Sequence, residues 1–341
     1  MSLLTRAPGA ASGAAPGTDG PPAAPNRDPG SGRIGRWVRR AGRGAGFVGR
    51  VVRGPGDGRP VSAASSLMAS AMAVLGLLLL TFAAELTFVG SVRHAHAQST
   101  GYDRLRSDLA NAVVPVGPTD SSGRLVALGT PLALLDIPSI GLREVVFEGT
   151  TSSVLMSGPG HRRDTALPGQ TGVSVIYGRA AAYGGPFGHL RSLRPGQSIV
   201  VVTGQGKQMF DVIGVRHAGD PIPQIAASGS LLTLTTADGP ALAPTGLLRV
   251  DALLSSSVQQ RPGAAFLPGR VPPPELAMAG DPSALMPLVL WAELLVIAAI
   301  GLAWARIRWG GWQTWVVGLP TLAFVCIGVT DHVAVLLPNL L

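Results

Sequence analysis

Few side chains in this sequence can carry out covalent chemistry. Of its 341 residues only Cys326 is a cysteine, and of the 27 basic residues only Lys207 is a lysine. Thiol attack and amine catalysis therefore have one candidate each, and a lone cysteine excludes an intrachain disulfide. No Cys/His spacing fits zinc or an iron–sulfur cluster, so neither a metal nor another cofactor is expected. His161, His189 and His217 read as structural or strand-end residues. Thr235 and Thr236 offer hydroxyls, which are weak nucleophiles without a base placed beside them. Asp238, followed by Gly239-Pro240, reads as a turn former rather than that base. Glu293 and His332 fall inside apolar runs, where an ionisable group is costly and by default serves a purpose. Each lies six residues from a proline expected at the outer boundary, Pro287 and Pro338. Helical rise puts both at a depth of about 9 Å, where they are expected either to pair, with Asp331 nearby, or to snorkel or hydrogen-bond separately near the interface.

The background to these residues is unusually apolar. Hydrophobic residues make up 46% of the chain and charged ones 13%, with a mean hydropathy of +0.35, which excludes an ordinary soluble enzyme. Residues 67–89, 285–305 and 312–337 each suffice to span a bilayer. Residues 1–66 hold ten arginines against three aspartates, nearly the whole net charge of +8. The positive-inside rule keeps that basic tail cytoplasmic, exports the stretch after the first span, and leaves the C-terminal side outside. The loop Arg306-Ile307-Arg308-Trp309-Gly310-Gly311, with its two arginines, fits the cytoplasmic side. Up to about residue 32 the Ala/Gly/Pro/Ser-rich tail has no core to bury. Residues 33–53 interleave arginines with apolar side chains, as either a helix on an anionic leaflet or a flexible basic segment. With one lysine in the chain, no nucleic-acid face is expected. Ala95-His96-Ala97 has the form of a signal-peptidase site, but a 23-residue apolar stretch exceeds the usual ~7 to 15 residues of a leader, so an uncleaved anchor is expected.

Between the spans, residues 90–130 read as a stalk and linker and 255–283 as a Pro/Gly-rich tether. Residues 131–254 read as a β domain, from short β-branched runs punctuated by Gly and Pro. The strand candidates are 132–137, 144–148, 173–177, 198–203, 209–216, 231–236 and 248–254, with one helical turn within 187–193. The fold class is mainly β, a closed barrel of seven to eight strands.

Within this domain the stretches Asp136-Ile137-Pro138-Ser139-Ile140-Gly141-Leu142, Val146-Phe147-Glu148-Gly149-Thr150, Gly158-Pro159-Gly160-His161, Ala166-Leu167-Pro168-Gly169-Gln170, Ala182-Tyr183-Gly184-Gly185-Pro186-Phe187-Gly188-His189-Leu190, Leu193-Arg194-Pro195-Gly196-Gln197 and Leu232-Thr233-Leu234-Thr235-Thr236 resemble, in order, the signature stretches of the sortases. That resemblance implies an eight-stranded barrel and a membrane-anchored transpeptidase that joins surface proteins to the wall of Gram-positive bacteria. The arginine-rich, lysine-poor usage resembles that of an actinobacterial member.

The departures from the family pattern bear on activity. A sortase strand ending Val-Ile-x-Gly is followed by the catalytic histidine, whereas Val175-Ile176-Tyr177-Gly178 is followed here by Arg179. The Leu-Thr-Leu-Thr-Thr strand leads to the nucleophilic cysteine, and Ala237 stands in its place. Alanine cannot attack a carbonyl, and a guanidinium cannot shuttle protons near neutral pH. Losing one member of such a unit typically removes about 10⁶ of rate. The family's oxyanion-stabilising arginine is matched by Arg249, or by Leu247 in the alternative register. Arg179 and Arg249 are expected to converge on the cleft as a clamp for a carboxylate, with Thr235, Thr236, Asp238 and Tyr183 around them. The resemblance thus implies a catalytically inactive binding or scaffolding module. Its partners would be the membrane, a peptide or surface protein, and an active sortase or other envelope proteins. The alternatives are a sortase using unorthodox residues and a membrane-complex subunit whose work is done by the second and third spans.

Overall fold

The computed structural model describes residues 63–341 apart from 121, 242, 264, 265 and 310; the basic segment 33–53 and the remainder of 1–62 lie outside the described residues. Eight strands close into a barrel in the order β1-β2-β3-β4-β7-β8-β6-β5. They are β1 (Pro131–Ile137), β2 (Leu142–Glu148), β3 (Gly160–His161), β4 (Gly172–Tyr177), β5 (Ser198–Thr203), β6 (Gly206–Arg216), β7 (Ser230–Asp238) and β8 (Gly246–Leu254). The seven expected strands are all present. The eighth, β3, has two residues, too few for alternation to be legible. A short 3₁₀ turn at Leu190–Ser192 falls within the expected 187–193.

Alternation sorts the barrel wall into two faces. On β7, Leu232 and Leu234 enter the core beside Ile176, Leu248, Val250 and Ala252. Thr233, Thr235 and Ala237 then take the outer face, because successive strand residues point to opposite sides. Parallel pairing of β4 with β7, with Tyr177 opposite Thr235, sets the ends of these two strands side by side. A buried polar staple fastens the same wall. Asp251 on β8 receives the Thr233 hydroxyl at 2.7 Å, the Arg216 Nε at 2.7 Å and an Arg216 terminal nitrogen at 3.2 Å. All three groups are thereby satisfied without water.

Three helical segments are long and apolar enough to cross a membrane, namely Met68–Ala110, Pro282–Trp309 and Gly311–Leu336. The first runs unbroken through α1 (Ala63–Ala84), a π-helical turn (Glu85–Val89) and α2 (Gly90–Ala110). The expected stalk is therefore the same rod continued, and Ala97 lies inside it. The rod is fastened to the barrel. Gln98 Nε2 donates to Val145 O and Ser157 O, while Val145 N donates to Gln98 Oε1, so one side-chain amide completes the edge of β2. His94 bonds Glu144 at 3.1 Å. Gly101 lies so close to the Phe147 ring that a Cβ there would stand 2.8 Å from it.

The last two helices, α3 excluded because it is the short turn Ser152–Ser157, are α4 (Leu285–Trp309) and α5 (Gly311–Leu336). They pack through Gly328, whose missing side chain admits the Trp291 indole, and Trp291 meets Phe324 edge-on at 5.6 Å. That contact overturns the expected pairing of Glu293 with His332. Glu293 follows Trp291 by two residues, about 200° around the helix, so it is exposed on the far side. His332 instead shares a hydrogen bond with Gly328 O at 2.8 Å, within its own helix. The polar link between spans lies elsewhere: Arg93 bonds Glu85 at 2.8 Å and also Asp331 of α5.

The fold makes two predictions. A Cβ at Gly160 would stand 2.2 Å from the Gly149 carbonyl oxygen, a backbone atom with no freedom to yield. Gly160→Ala is expected to lower the melting midpoint of the full chain in detergent by roughly 4 °C or more, while Gly76→Ala, which meets nothing within 4 Å, leaves it unchanged. Asp251→Asn removes the counter-charge of the part-buried Arg216 and is expected to destabilise by about 1 to 3 kcal/mol in the same measurement.

Candidate functional site

Two main-chain and side-chain bonds fix the ends of β4 and β7 together: Gly178 N donates to Thr235 O at 3.0 Å, and the Thr236 hydroxyl donates to Gly178 O at 2.8 Å. Thr236 is therefore committed to the strand junction and does not enter the cleft. One residue beyond Gly178 stands Arg179, and one beyond Thr236 stands Ala237. The register places Leu247 opposite Ala237 and Arg249 opposite Thr235, with both β8 side chains on the outer face. Both registers weighed for the family's arginine thus fall on the same outer face, two residues apart.

The outer face divides into an open half and a covered half. The open half is a cleft of about 340 Å³ lined by Arg162, Tyr177, Arg216, Thr233, Thr235 and Arg249, among others. Two of its guanidiniums are already neutralised, Arg162 by Asp164 and Arg216 by Asp251. Arg249 has no such partner among the described residues, which makes it the available cation of the cleft. Burial pushes the Tyr177 phenol upward, with Arg162 and Arg249 opposing the shift.

The covered half contains Arg179, and here the expected clamp is corrected. Arg179 is 0% exposed and does not line the open cleft with Arg249. One terminal nitrogen donates to Ser152 Oγ at 2.8 Å and Ser152 O at 3.2 Å, and the other to Leu341 O at 3.4 Å. Its Cζ lies 5.0 Å from the centre of the Tyr183 ring, within cation–π range. Nε has no partner, and no carboxylate pairs with this guanidinium among the described residues. Desolvation brings its pKa down to about 10, which still leaves it charged at neutral pH.

Ala237 is covered as well. Leu340, Leu155 and Tyr177 pack with it as a buried apolar cluster, edged by Val175, Ala180, Leu247, Ala277 and Met278. Cys326 lies buried within α5, in a membrane-type helix. Tyr183 does not face the open cleft. It is buried at a φ of 53°, and its hydroxyl donates to Glu85 at 3.2 Å. Burial and the Glu85 charge raise its pKa strongly. Asp238 is held by Arg191, with His217 at 3.7 Å, and Thr245 N donates to its carbonyl, so it ends the strand as expected. His161 is bonded at both nitrogens, to Glu148 at 2.9 Å and Ala166 O at 3.0 Å, leaving neither free for catalysis. His189 is exposed.

Residues that sequence reasoning missed complete this half. Ser152 caps the guanidinium from 27 positions away, and the segment 338–341 arrives from beyond the last helix. The expected tether 255–283 is also docked rather than free. Glu275 is 1% exposed, its carboxylate receives Arg163 at 3.1 Å, and its carbonyl receives the Thr150 hydroxyl at 2.6 Å. Burial raises the Glu275 pKa while Arg163 opposes the shift. None of these contacts follows a local spacing, so the sequence held no signal for them.

Comparison with known proteins places the barrel. Residues 135–245 match the family model described as Sortase domain. No curated protein sequence matches the chain. Among solved structures, sortase E from Streptomyces avermitilis is 31% identical, with 38% of this chain and 91% of that chain covered and a TM-score of 0.34. Sortase E1 from Streptomyces coelicolor, solved with a tripeptide in its active site, is 25% identical over 38% and 90%, with a TM-score of 0.34. A Clostridium perfringens sortase D5 transpeptidase is 19% identical over 49% and 100%, with a TM-score of 0.39. The strand order and the matched residues 135–245 agree with the motifs read from the sequence, and the barrel is a sortase-family domain.

Proposed function

We propose that this sortase-family protein is anchored in the cell membrane by its three apolar helices and has given up acyl transfer. Its barrel serves outside the cytoplasm as a peptide- or protein-binding module in cell-surface protein handling or envelope assembly. The observation that carries the reading is the pair of residues at the adjoining ends of β4 and β7. Arg179 stands where the family places its histidine, and Ala237 where it places its cysteine.

Acyl transfer through an enzyme thiolate needs two groups: a thiolate to attack the scissile carbonyl and an acid to protonate the departing amine. A methyl group supplies no electron pair. A permanently charged guanidinium without solvent contact neither takes nor gives a proton near pH 7. Thr236 is engaged at the strand junction, Thr233 on Asp251, and Asp238 on Arg191, while the Thr235 hydroxyl has no base placed beside it to activate it. Arg249 stays available in the open cleft and suits a carboxylate or a peptide carbonyl of a bound chain. The basic tail and the two-arginine loop favour a cytoplasmic N-terminus, an external barrel and an external segment after the third helix.

The test uses the full chain in detergent or nanodiscs, since the barrel is fastened to its helices. It is incubated with a panel of sorting-signal peptides and an amine acceptor, beside an active sortase, and products are read by mass spectrometry. The expected outcome is no cleavage or transpeptidation above buffer. Turnover that disappears in Thr235→Val, Asp238→Asn or Arg249→Ala would mean that an unorthodox group performs the chemistry.

A further inference from the structure

The covered half of the site is occupied by a segment of the chain itself. Residues 338–341, which follow α5, are read one after another. Leu341 N donates back to Pro338 O at 3.2 Å, closing a turn. The Asn339 side-chain amide donates to Thr150 O at 2.7 Å and Leu276 O at 2.9 Å, and Asn339 N donates to Ala279 O at 2.9 Å. Leu340 is 0% exposed in the apolar socket over Ala237, and its carbonyl receives Ala180 N at 2.9 Å. Leu341 O receives the Arg179 guanidinium at 3.4 Å.

This is a built site rather than a fortuitous contact. Both amide hydrogens of Asn339 find carbonyls, so neither an aspartate nor a leucine would be received equally well. Leu340 occupies the space above the position where the family keeps its nucleophile. Arg179 is a fully buried cation whose Nε is unfilled. Its bond to Leu341 O makes it the polar end of the groove, as Ala237 is the apolar floor.

We propose that residues 338–341 are a tethered ligand of this groove, and that an external peptide of the same chemistry, an Asn followed by Leu, enters only by displacing them. The proposal rests on the reading of the barrel as a binding module and names what that module binds. It also makes the third membrane helix the controlling element, because the segment that must leave is continuous with it. A tethered ligand in place for more than nine-tenths of the time lowers the apparent affinity for a competing peptide by about tenfold or more.

The experiment compares the full chain with its Asn339→Ala/Leu340→Ala variant in nanodiscs. The probe is a fluorescein-labelled Leu-Pro-Asn-Leu-Leu peptide followed by anisotropy, with Leu-Pro-Ala-Ala-Leu as control. The variant is expected to bind the probe about tenfold more tightly than the unaltered chain and to ignore the control peptide. Equal affinity in both chains, or equal binding of both peptides, would overturn the proposal. In case the variant fails to fold, Ala237→Cys/Leu340→Cys is prepared in a Cys326→Ser background. An intramolecular 237–340 disulfide on mild oxidation is expected, and its absence would overturn the proposal as well. The two readings fail separately: turnover by the Asn339→Ala/Leu340→Ala variant would end the non-catalytic reading without touching the tethered ligand, whereas equal affinities without turnover would do the reverse.

Discussion

Arg179 remains positively charged at neutral pH even though burial brings its pKa down to about 10, so a full charge has to be accommodated inside the protein. A charge cut off from water is strongly unfavourable unless hydrogen-bond acceptors surround it. Among the described residues no side-chain carboxylate supplies them. The acceptors are oxygens of Ser152 and Leu341, and the ring face of Tyr183 adds its quadrupole. Three separate parts of the chain, α3, the loop after β4 and the segment after α5, are thereby drawn to one point. Much of the arrangement around the adjoining ends of β4 and β7 follows from satisfying that single guanidinium.

The contacts around Arg179 continue into the membrane helices and return. Tyr183 passes from the guanidinium to Glu85 in the π-helical turn, Glu85 holds Arg93, and Arg93 holds Asp331 of α5. From Asp331 the chain itself leads to residues 338–341 and back to Arg179. The first helix, the third helix and the barrel are linked in one ring of polar contacts. Of its charges Glu85 and Arg179 are buried and contribute little net stability, but each is costly to strand alone, so they favour one mutual arrangement over others. The π-helical turn shifts the helical register where Glu85 has to reach both Arg93 and Tyr183.

The barrel was legible because its evidence is local. Alternation in Leu231-Leu232-Thr233-Leu234-Thr235 declares both a strand and which side of it faces the core, and the ordered motifs supply the topology that alternation alone does not. The two departures, Arg179 and Ala237, were legible for the same reason. What they do was not. Arg179 reads as a cleft cation when only its own strand is considered, and it becomes a buried one because Ser152 and Leu341 cover it from 27 and 162 positions away. The expected pairing of Glu293 with His332 rests on helical rise, which is silent about rotation. The Trp291 contact with Gly328 sets the rotation and turns Glu293 outward.

The two replacements and the covering of the groove explain one another. A histidine base and a cysteine nucleophile work only when a substrate can reach them, so a cleft that holds them has to stay open. An alanine gains nothing from exposure and is stabilised by an apolar cover, which Leu340 provides. An arginine in the histidine's place can be enclosed only if oxygens accept its hydrogens, and a segment of main chain carries one carbonyl per residue. Residues 338–341 meet both demands at once, a leucine for the alanine and a carbonyl for the arginine. Either replacement alone would suit this segment less well: a cysteine kept at 237 would set a polar thiol under Leu340, and a histidine kept at 179 would leave oxygens of Ser152 and Leu341 without the guanidinium's hydrogens. The pair is better understood as one change, from a site that must admit a chain and release it to a site that retains one.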